Sequence, residues 1–381
     1  MADLMQVNMQ MFGVNVEQRD SGEMILSCPE PLADLPTSVV AMLRDHAAAH
    51  PDRDFLCERN GSGEWRRVTY RDVLAAANAI GQALLEGGHS PDRPVAILSD
   101  NSLDQAFVTF GAMTVGIPVM PISPAYSLMS QDHEKLKSVI DHNDPSVIFV
   151  ENPEPFARAL AALKLSDRTL VVGSSAEAPS GAVSLNDWLT KSPSPEVDDA
   201  AAKIDLDTIG KILLTSGSTG LPKGVLNTHR MMVSNQVASA QVYSFLKDEP
   251  PVFLDWLPWN HTFGGNYNLN MVLHNGGTMY IDEGRPVPGR IEATVANLRE
   301  VAPTLYLNVP RGYDLLLPLL EEDEAATLYR HAADLGALGP ILEIGSFHGK
   351  STVVLATAAK SVGARIYAVD PHAVSYTHLR A

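Results

Sequence analysis

The chain has 381 residues, 45% of them hydrophobic, which is enough for two or three domains with a sizeable core and too apolar for a disordered protein. Acidic residues number 45 against 28 basic ones. The formal net charge of −17 excludes a broad attraction to nucleic acid or to an anionic membrane, while a local anion site stays open.

Two cysteines, Cys28 and Cys57, show no CxxC and no framework spacing, so a reducing compartment, the cytoplasm, is expected. The first twenty residues hold no basic segment followed by an apolar run, so no leader peptide is expected. A long uncharged stretch, 106–127, carries Gly111, Gly116, Pro118, Pro121 and Pro124. Those residues fit a helix, a turn and a strand better than a membrane span.

In chain order, residues 1–36 read as an arm with little periodicity. Thr37 or Ser38 caps a helix to about Ala49. Thr69 caps another, with Val73, Leu74, Ala77, Ile80 and Leu84 on one face. Residues 94–100 form a short buried strand, and Ser102 with Gln105 opens the next helix. Strands follow at 117–123, 146–152 and 168–174, alternating with helices at 131–142 and 157–164. Short apolar strands between amphipathic helices imply an α/β fold with a parallel sheet covered on both faces. Residues 175–205, rich in Ser, Pro, Ala and Asp, read as a surface linker.

The stretch "KILLTSGSTGLPKGV" (211–225) is the most informative. An apolar run leads into hydroxyls and glycines. Thr215, Ser216, Ser218 and Thr219 are hydrogen-bond donors. Gly217, Gly220 and Gly224 let backbone N–H groups face one anion, and Lys223 adds a point charge. The spacing is not that of a Walker A loop. The stretch resembles the phosphate-loop signature of the adenylate-forming superfamily, which includes acyl-CoA synthetases, luciferases and the adenylation domains of peptide synthetases. The resemblance implies that Thr215–Gly220, Lys223 and Gly224 hold ATP phosphates, with Lys223 catalytic.

A second segment, 253–286, gathers Trp256, Trp259, His261 and Phe263 ahead of an Asn275–Gly276–Gly277 turn and the strand "TMYID". Pro258-x-x-His261 resembles the superfamily's proline–histidine element, which places His261 at the acyl and CoA end of the site. The wording of this segment and of 302–320 is most similar to feruloyl-CoA synthetases. Trp259, His261, Phe263 and Arg311 are then the substrate candidates. The implied reaction uses ATP, Mg²⁺ and coenzyme A: an aryl or other carboxylate attacks the α-phosphate, and the CoA thiolate then displaces AMP. A non-catalytic ATP-binding protein is the alternative on the same residues. No metal ligands stand out, and nothing specifies the oligomer.

The resemblance covers about 1–325. A Tyr-Gly-x-Thr-Glu segment, an acidic ribose contact and a tail lysine are expected by resemblance and are absent from the remainder. Residues 339–372 instead read as strand (341–344), Gly345-x-x-x-Gly349 turn, helix (351–362) and strand (365–370). With Glu343 and Asp370, they resemble the opening of a class I S-adenosylmethionine-dependent methyltransferase, here a Rossmann-like βαβ fragment over 326–373. The last eight residues, 374–381, resemble a translated sequencing adapter. The expectation is a chimeric, truncated reading frame whose ligase part has little activity of its own.

Overall fold

The computed structural model describes residues 9–10, 12–165, 167–216, 221–287, 289–316 and 319, and the backbone of strands 341–344 and 366–369. The chain divides into two compact units: residues 8–253 with 257–281, and a smaller one that holds 254–256 and the described residues from 282 onward.

The larger unit begins with a hairpin, β1 (Asn15–Gln18) and β2 (Met24–Ser27), paired antiparallel with Val16 opposite Leu26. The arm expected over 1–36 is therefore partly a hairpin. Its Asp20–Gly22 turn, with Gly22 at φ 87°, is the local cause. Helix α1 (Val39–Ala49) is capped by Ser38, whose hydroxyl accepts from the Ala41 N–H at 2.9 Å. Strands β3 (Asp54–Arg59) and β4 (Trp65–Thr69) form a second hairpin, and Thr69 and Asp72 then close a reciprocal capping box on α2 (Tyr70–Glu86). Sequence periodicity alone does not show this hairpin, because both strands mix charged and apolar residues on half-buried positions.

The expected alternation follows. Strand β5 (Val95–Leu98) is wholly buried, and α3 (Leu103–Thr114) starts where the Ser102 hydroxyl accepts from the Gln105 N–H. Next come β6 (Val119–Pro121), the short α4 (Ala125–Leu128), α5 (Glu134–Asn143), β7 (Val147–Val150), α6 (Pro153–Ala161) and β8 (Thr169–Val172). The linker expected over 175–205 is instead structured. It holds β9 (Val183–Ser184), α7 (Leu185–Leu189) and α8 (Pro195–Ala201), which bury Leu185, Trp188 and Val197. Elements of two to seven residues leave too few periods to see in the sequence. Strands β10 (Ile209–Ser216) and β11 (Pro222–Thr228) then make an antiparallel hairpin, followed by α9 (His229–Val242).

These strands form a seven-stranded sheet in the order β11-β10-β6-β5-β7-β8-β9, parallel except for the β10–β11 hairpin at one edge. On one face, Ile148, Val150 and Met120 pack on Leu136, Ile140, Phe156 and Leu160 of α5 and α6. Each such side chain contributes roughly 1.5–3 kcal/mol by leaving water. A second sheet, of four strands, was not anticipated. Its order is β12-β13-β3-β4, with β12 at Val252–Asp255 and β13 at Thr278–Ile281. Tyr70 stacks on Phe55 at 4.5 Å and donates its hydroxyl to the Gly277 carbonyl at 2.9 Å, so the phenol is buried without losing its hydrogen bond. Between β12 and β13 lie a six-residue π-helix, Phe263–Asn268, and α10 (Leu269–His274).

In the smaller unit, α11 (Ile291–Val301) is anchored by Asp282. The buried Asp282 carboxylate accepts from the Gly284 N–H, the Thr294 hydroxyl and the Asn297 amide at 2.7–2.9 Å. Helix α12 (Pro310–Leu316) follows. The backbone strands β14 (Ile341–Ile344) and β15 (Ile366–Val369) pair in parallel, at the two places where the sequence predicts strands. The helix expected between them lies outside the described residues.

Candidate functional site

The hairpin β10–β11 carries the phosphate-loop stretch. Thr215 is opposite Lys223 and Ser216 opposite Pro222, so the two strands close directly beneath the loop. The Thr215 hydroxyl donates to the Lys223 carbonyl at 3.4 Å. Gly217, Ser218, Thr219 and Gly220 lie outside the described residues, and of Ser216 only the backbone is described. Lys223 is exposed, and no carboxylate pairs with its ammonium among the described residues. An unspent cation beside a hydroxyl at the end of a hairpin suits an anion such as a phosphate. Gly224 departs from the expectation: it is a ladder residue opposite Leu214, not a loop residue. A Cβ there would press on the Ile212 side chain at 3.0 Å, so its smallness serves packing.

His261 lies in the turn between β12 and the π-helix and is exposed. Its Nδ1 accepts from the Phe263 N–H at 3.3 Å, so the neutral ring carries its proton on Nε2. The turn is folded tightly on itself. A Cβ on Gly264 would collide with the Leu257 carbonyl oxygen, and one on Gly265 with that of Trp259. Asn101 holds the same turn from the sheet: its amide donates to the Leu257 carbonyl at 2.9 Å and accepts from the Trp259 N–H at 2.8 Å. The Trp259 side chain is only 3% exposed and packs as a core residue. Phe263 is half-buried, with its ring 5.9 Å from that of Tyr267. Arg311, on α12 of the smaller unit, is exposed.

Four residues that sequence reasoning does not single out tie these limbs together. Lys211 is buried within β10, and its Nζ donates to the Gly265 carbonyl at 3.0 Å. Burial lowers its ammonium to about 8. Gln236 of α9 donates to the Asn266 carbonyl at 2.8 Å and the Tyr267 carbonyl at 3.4 Å. The Asn266 amide donates to the Asn227 side chain, on β11, at 2.8 Å. The visible signal for Lys211 is a charge interrupting an apolar strand, which must find a partner once buried. Nearby, burial pushes His229 down to about 4, and its Nδ1 accepts from the Val39 N–H at 3.2 Å.

A second polar group lies past the C-terminal ends of β5 and β7. Glu58 is pushed up to about 7, first by burial and then by the Glu151 carboxylate. Glu151 accepts from the Ser99 hydroxyl at 3.0 Å, and Asp104 accepts from the Ser174 N–H at 2.6 Å. No group of three or more His, Cys, Asp or Glu side chains arranged to hold a metal ion is found among the described residues. Mg²⁺ commonly arrives with substrate phosphates and one or two carboxylates, so this leaves its use with a nucleotide open. No described helix is long and apolar enough to cross a membrane.

The family model for "AMP-binding enzyme" matches residues 43–368. The chain belongs to the AMP-binding enzyme family. Among curated relatives of this AMP-binding enzyme, long chain acyl-CoA synthetase 2 of Arabidopsis thaliana is 26% identical over 329 residues, covering 78% of this chain and 46% of that protein. The phosphinothricin tripeptide synthetase PhsC of Streptomyces viridochromogenes is 29% identical over 205 residues, 52% of this chain and 16% of that protein. The fatty acyl-adenylate ligase of L. pneumophila, solved with acyl adenylate and pyrophosphate, superposes with a TM-score of 0.61 at 19% identity, over 87% of this chain and 54% of that one. The chain thus spans about half the length of the acyl-CoA synthetase and under a fifth of the peptide synthetase. The family and the α/β fold of its N-terminal region are established. Ferulate specificity and a methyltransferase-like C-terminus are not part of that match.

In the C-terminal stretch, Glu343 falls in β14, while Gly345, Gly349 and Asp370 lie outside the described residues.

Proposed function

We propose that this AMP-binding enzyme is an acid–CoA ligase of the ATP-dependent, AMP-forming kind, acting on ferulate or a related aryl acid. The observation that carries the reading is the β10–β11 hairpin: it presents Thr215 and the exposed Lys223, with no carboxylate partner among the described residues, at the end of a strand pair, within a chain of this family. Thr215–Gly220 and Lys223 take the β- and γ-phosphates. The carboxylate of the acid attacks the α-phosphorus and pyrophosphate leaves. The CoA thiolate then adds to the acyl carbonyl carbon and AMP leaves. The chain's own part in the first step is to place the phosphates and offset their charge with the Lys223 ammonium. His261, with its proton on Nε2, serves the acyl and CoA end, and Phe263 contacts the acid.

The test is ATP binding by calorimetry, with pyrophosphate release measured in the presence of Mg²⁺ and ferulate, a long-chain fatty acid or an amino acid. The reading expects ATP binding, weakened at least about tenfold in Lys223→Ala, and release preferring ferulate. Release with amino acids alone would move the enzyme to the adenylation domains of peptide synthetases. Absence of ATP binding would overturn the reading altogether. A second reading concerns 326–373 only: β14 and β15 pair in parallel, as the strands of a Rossmann-like βαβ unit of methyltransferase type would, although the family match runs on to residue 368. Glu343, Gly345, Gly349 and Asp370 would be its S-adenosylmethionine contacts, and binding of labelled S-adenosylmethionine tests it.

A further inference from the structure

The π-helix is a widened turn, and such turns concentrate at functional sites because their carbonyls are freed for other partners. Here three consecutive carbonyls are taken up by side chains. Lys211 holds Gly265, and Gln236 holds Asn266 and Tyr267. The Asn266 side chain holds Asn227. Lys211 and Asn227 are direct cross-strand partners in the β10–β11 ladder. One rung of that hairpin therefore grips two successive residues of the π-helix, one through each strand. Four residues further along β10, the same ladder presents Thr215 opposite Lys223. At the other end, the π-helix is joined to His261, whose carbonyl accepts from the Gly265 N–H at 2.9 Å.

We propose that Lys211 and Asn227 are a positioning pair that transmits the state of the phosphate-binding hairpin to the His261 turn, so that nucleotide binding orders the acid end of the site. The inference rests on the function proposed above and adds to it a physical link between the two half-sites. Three features support it. Lys211 is a cation buried to 3% exposure whose one hydrogen bond among the described residues is to the π-helix, an expensive choice for a group that serves packing alone. The two grips come from facing residues of one ladder, next to the irregularity in its register between Ile209 and Lys211, so a shift of either strand is felt at the π-helix. The turn they reach is fixed on its far side by Asn101, which leaves the π-helix as the side able to respond.

The experiment is hydrogen–deuterium exchange of the full chain with and without Mg·ATP, read on peptides covering 261–269. In the wild type, ATP should slow exchange there by about tenfold. Lys211→Met keeps the length of the side chain and removes its donor. It should bind ATP within about threefold of wild type while losing that protection. Asn266→Ala, at a half-buried position, should lose part of it and guards against a Lys211→Met protein that does not fold. Affinity for ferulate, measured with and without ATP, should show coupling in the wild type and none in Lys211→Met. Protection equal to wild type in both variants would overturn the link while leaving the ligase reading intact. Failure of the wild type to bind ATP would overturn both, so the two failures are distinct.

Discussion

Lys211 and Glu58 are both ionisable groups taken out of water in the same unit, and burial moves them in opposite directions. The lysine falls to about 8 and the glutamate rises to about 7. Their settings differ more than their signs. Glu58 is crowded by Glu151 and Asp104, with Arg66 opposing, and its carboxylate accepts from the Leu103 N–H at the start of α3, where a helix terminus welcomes negative charge. Lys211 has no neighbouring carboxylate among its causes of shift, only burial. A carboxylate that shares its pocket with two others and is eased by the Leu103 N–H and Arg66 is compatible with a purely structural role. A lysine eased by a single carbonyl of the π-helix is better accounted for by where it holds that turn.

The largest effect should come from disturbing the tight turn whose Gly265 carbonyl Lys211 holds. Gly265→Ala drives a methyl into the Trp259 carbonyl, and the backbone of the turn must shift; a loss of about 3 kcal/mol or more is expected, read by urea unfolding. Next comes the pH dependence of the two charges. Glu58 has a folded value above its unfolded one, so the folded state holds the extra proton and stability falls as pH rises from about 4.5 through 7. Glu58→Gln should remove that decline and gain roughly 1–3 kcal/mol at pH 8. Lys211 has the opposite sense. The unfolded chain holds the extra proton between about 8 and 10.5, so stability should rise with pH across that window, and Lys211→Met should flatten the rise. Cys57, pushed up by burial, works against that rise above about pH 9, so the deciding result is the difference: stability profiles from pH 8 to 10 that run parallel in wild type and Lys211→Met would end the contrast.

Smaller still is Asn266→Ala, which breaks a hydrogen bond to Asn227 and a long one, 3.5 Å, to the Thr262 hydroxyl, and should cost about 1 kcal/mol without pH dependence. The least should come from Lys223→Ala. The side chain is exposed, so unfolding should change by no more than about 0.5 kcal/mol. A large loss there would mean that Lys223 serves the fold.

The alternation from β5 to β8 was legible because its strands are mostly apolar runs, β5 and β7 wholly so, and because α3 opens on its Ser102 cap; α4 and α5 have no side-chain cap. Ser38, Thr69 and Ser102 all cap where the sequence places them. In the stretch 211–225 the sequence shows the hydroxyls and glycines, and the structure adds that Thr215 and Lys223 face each other across a hairpin. Other parts were not legible. Strands β3 and β4 are half-buried with charged ends, so neither period dominates. The structured segment 183–201 is built from elements shorter than a readable period. Gly224 looked like a loop residue because a ladder glycine and a turn glycine are the same letter. The Lys211–Gly265 contact spans 54 positions, and no local pattern announces which carbonyl a buried lysine will meet.

The first hairpin has a bearing on how copies of this protein behave in solution. Val14, Val16, Met24 and Leu26 are each 60–67% exposed on a two-stranded sheet, an arrangement that offers apolar surface and strand edges to whatever approaches. The net charge of −17 opposes that approach between like molecules. The balance is colloidal: at physiological salt the repulsion reaches only about 8 Å, and at 1 M about 3 Å. Adding simple salt should therefore make the protein less soluble at high concentration, with the N-terminal hairpin as the first surface to stick.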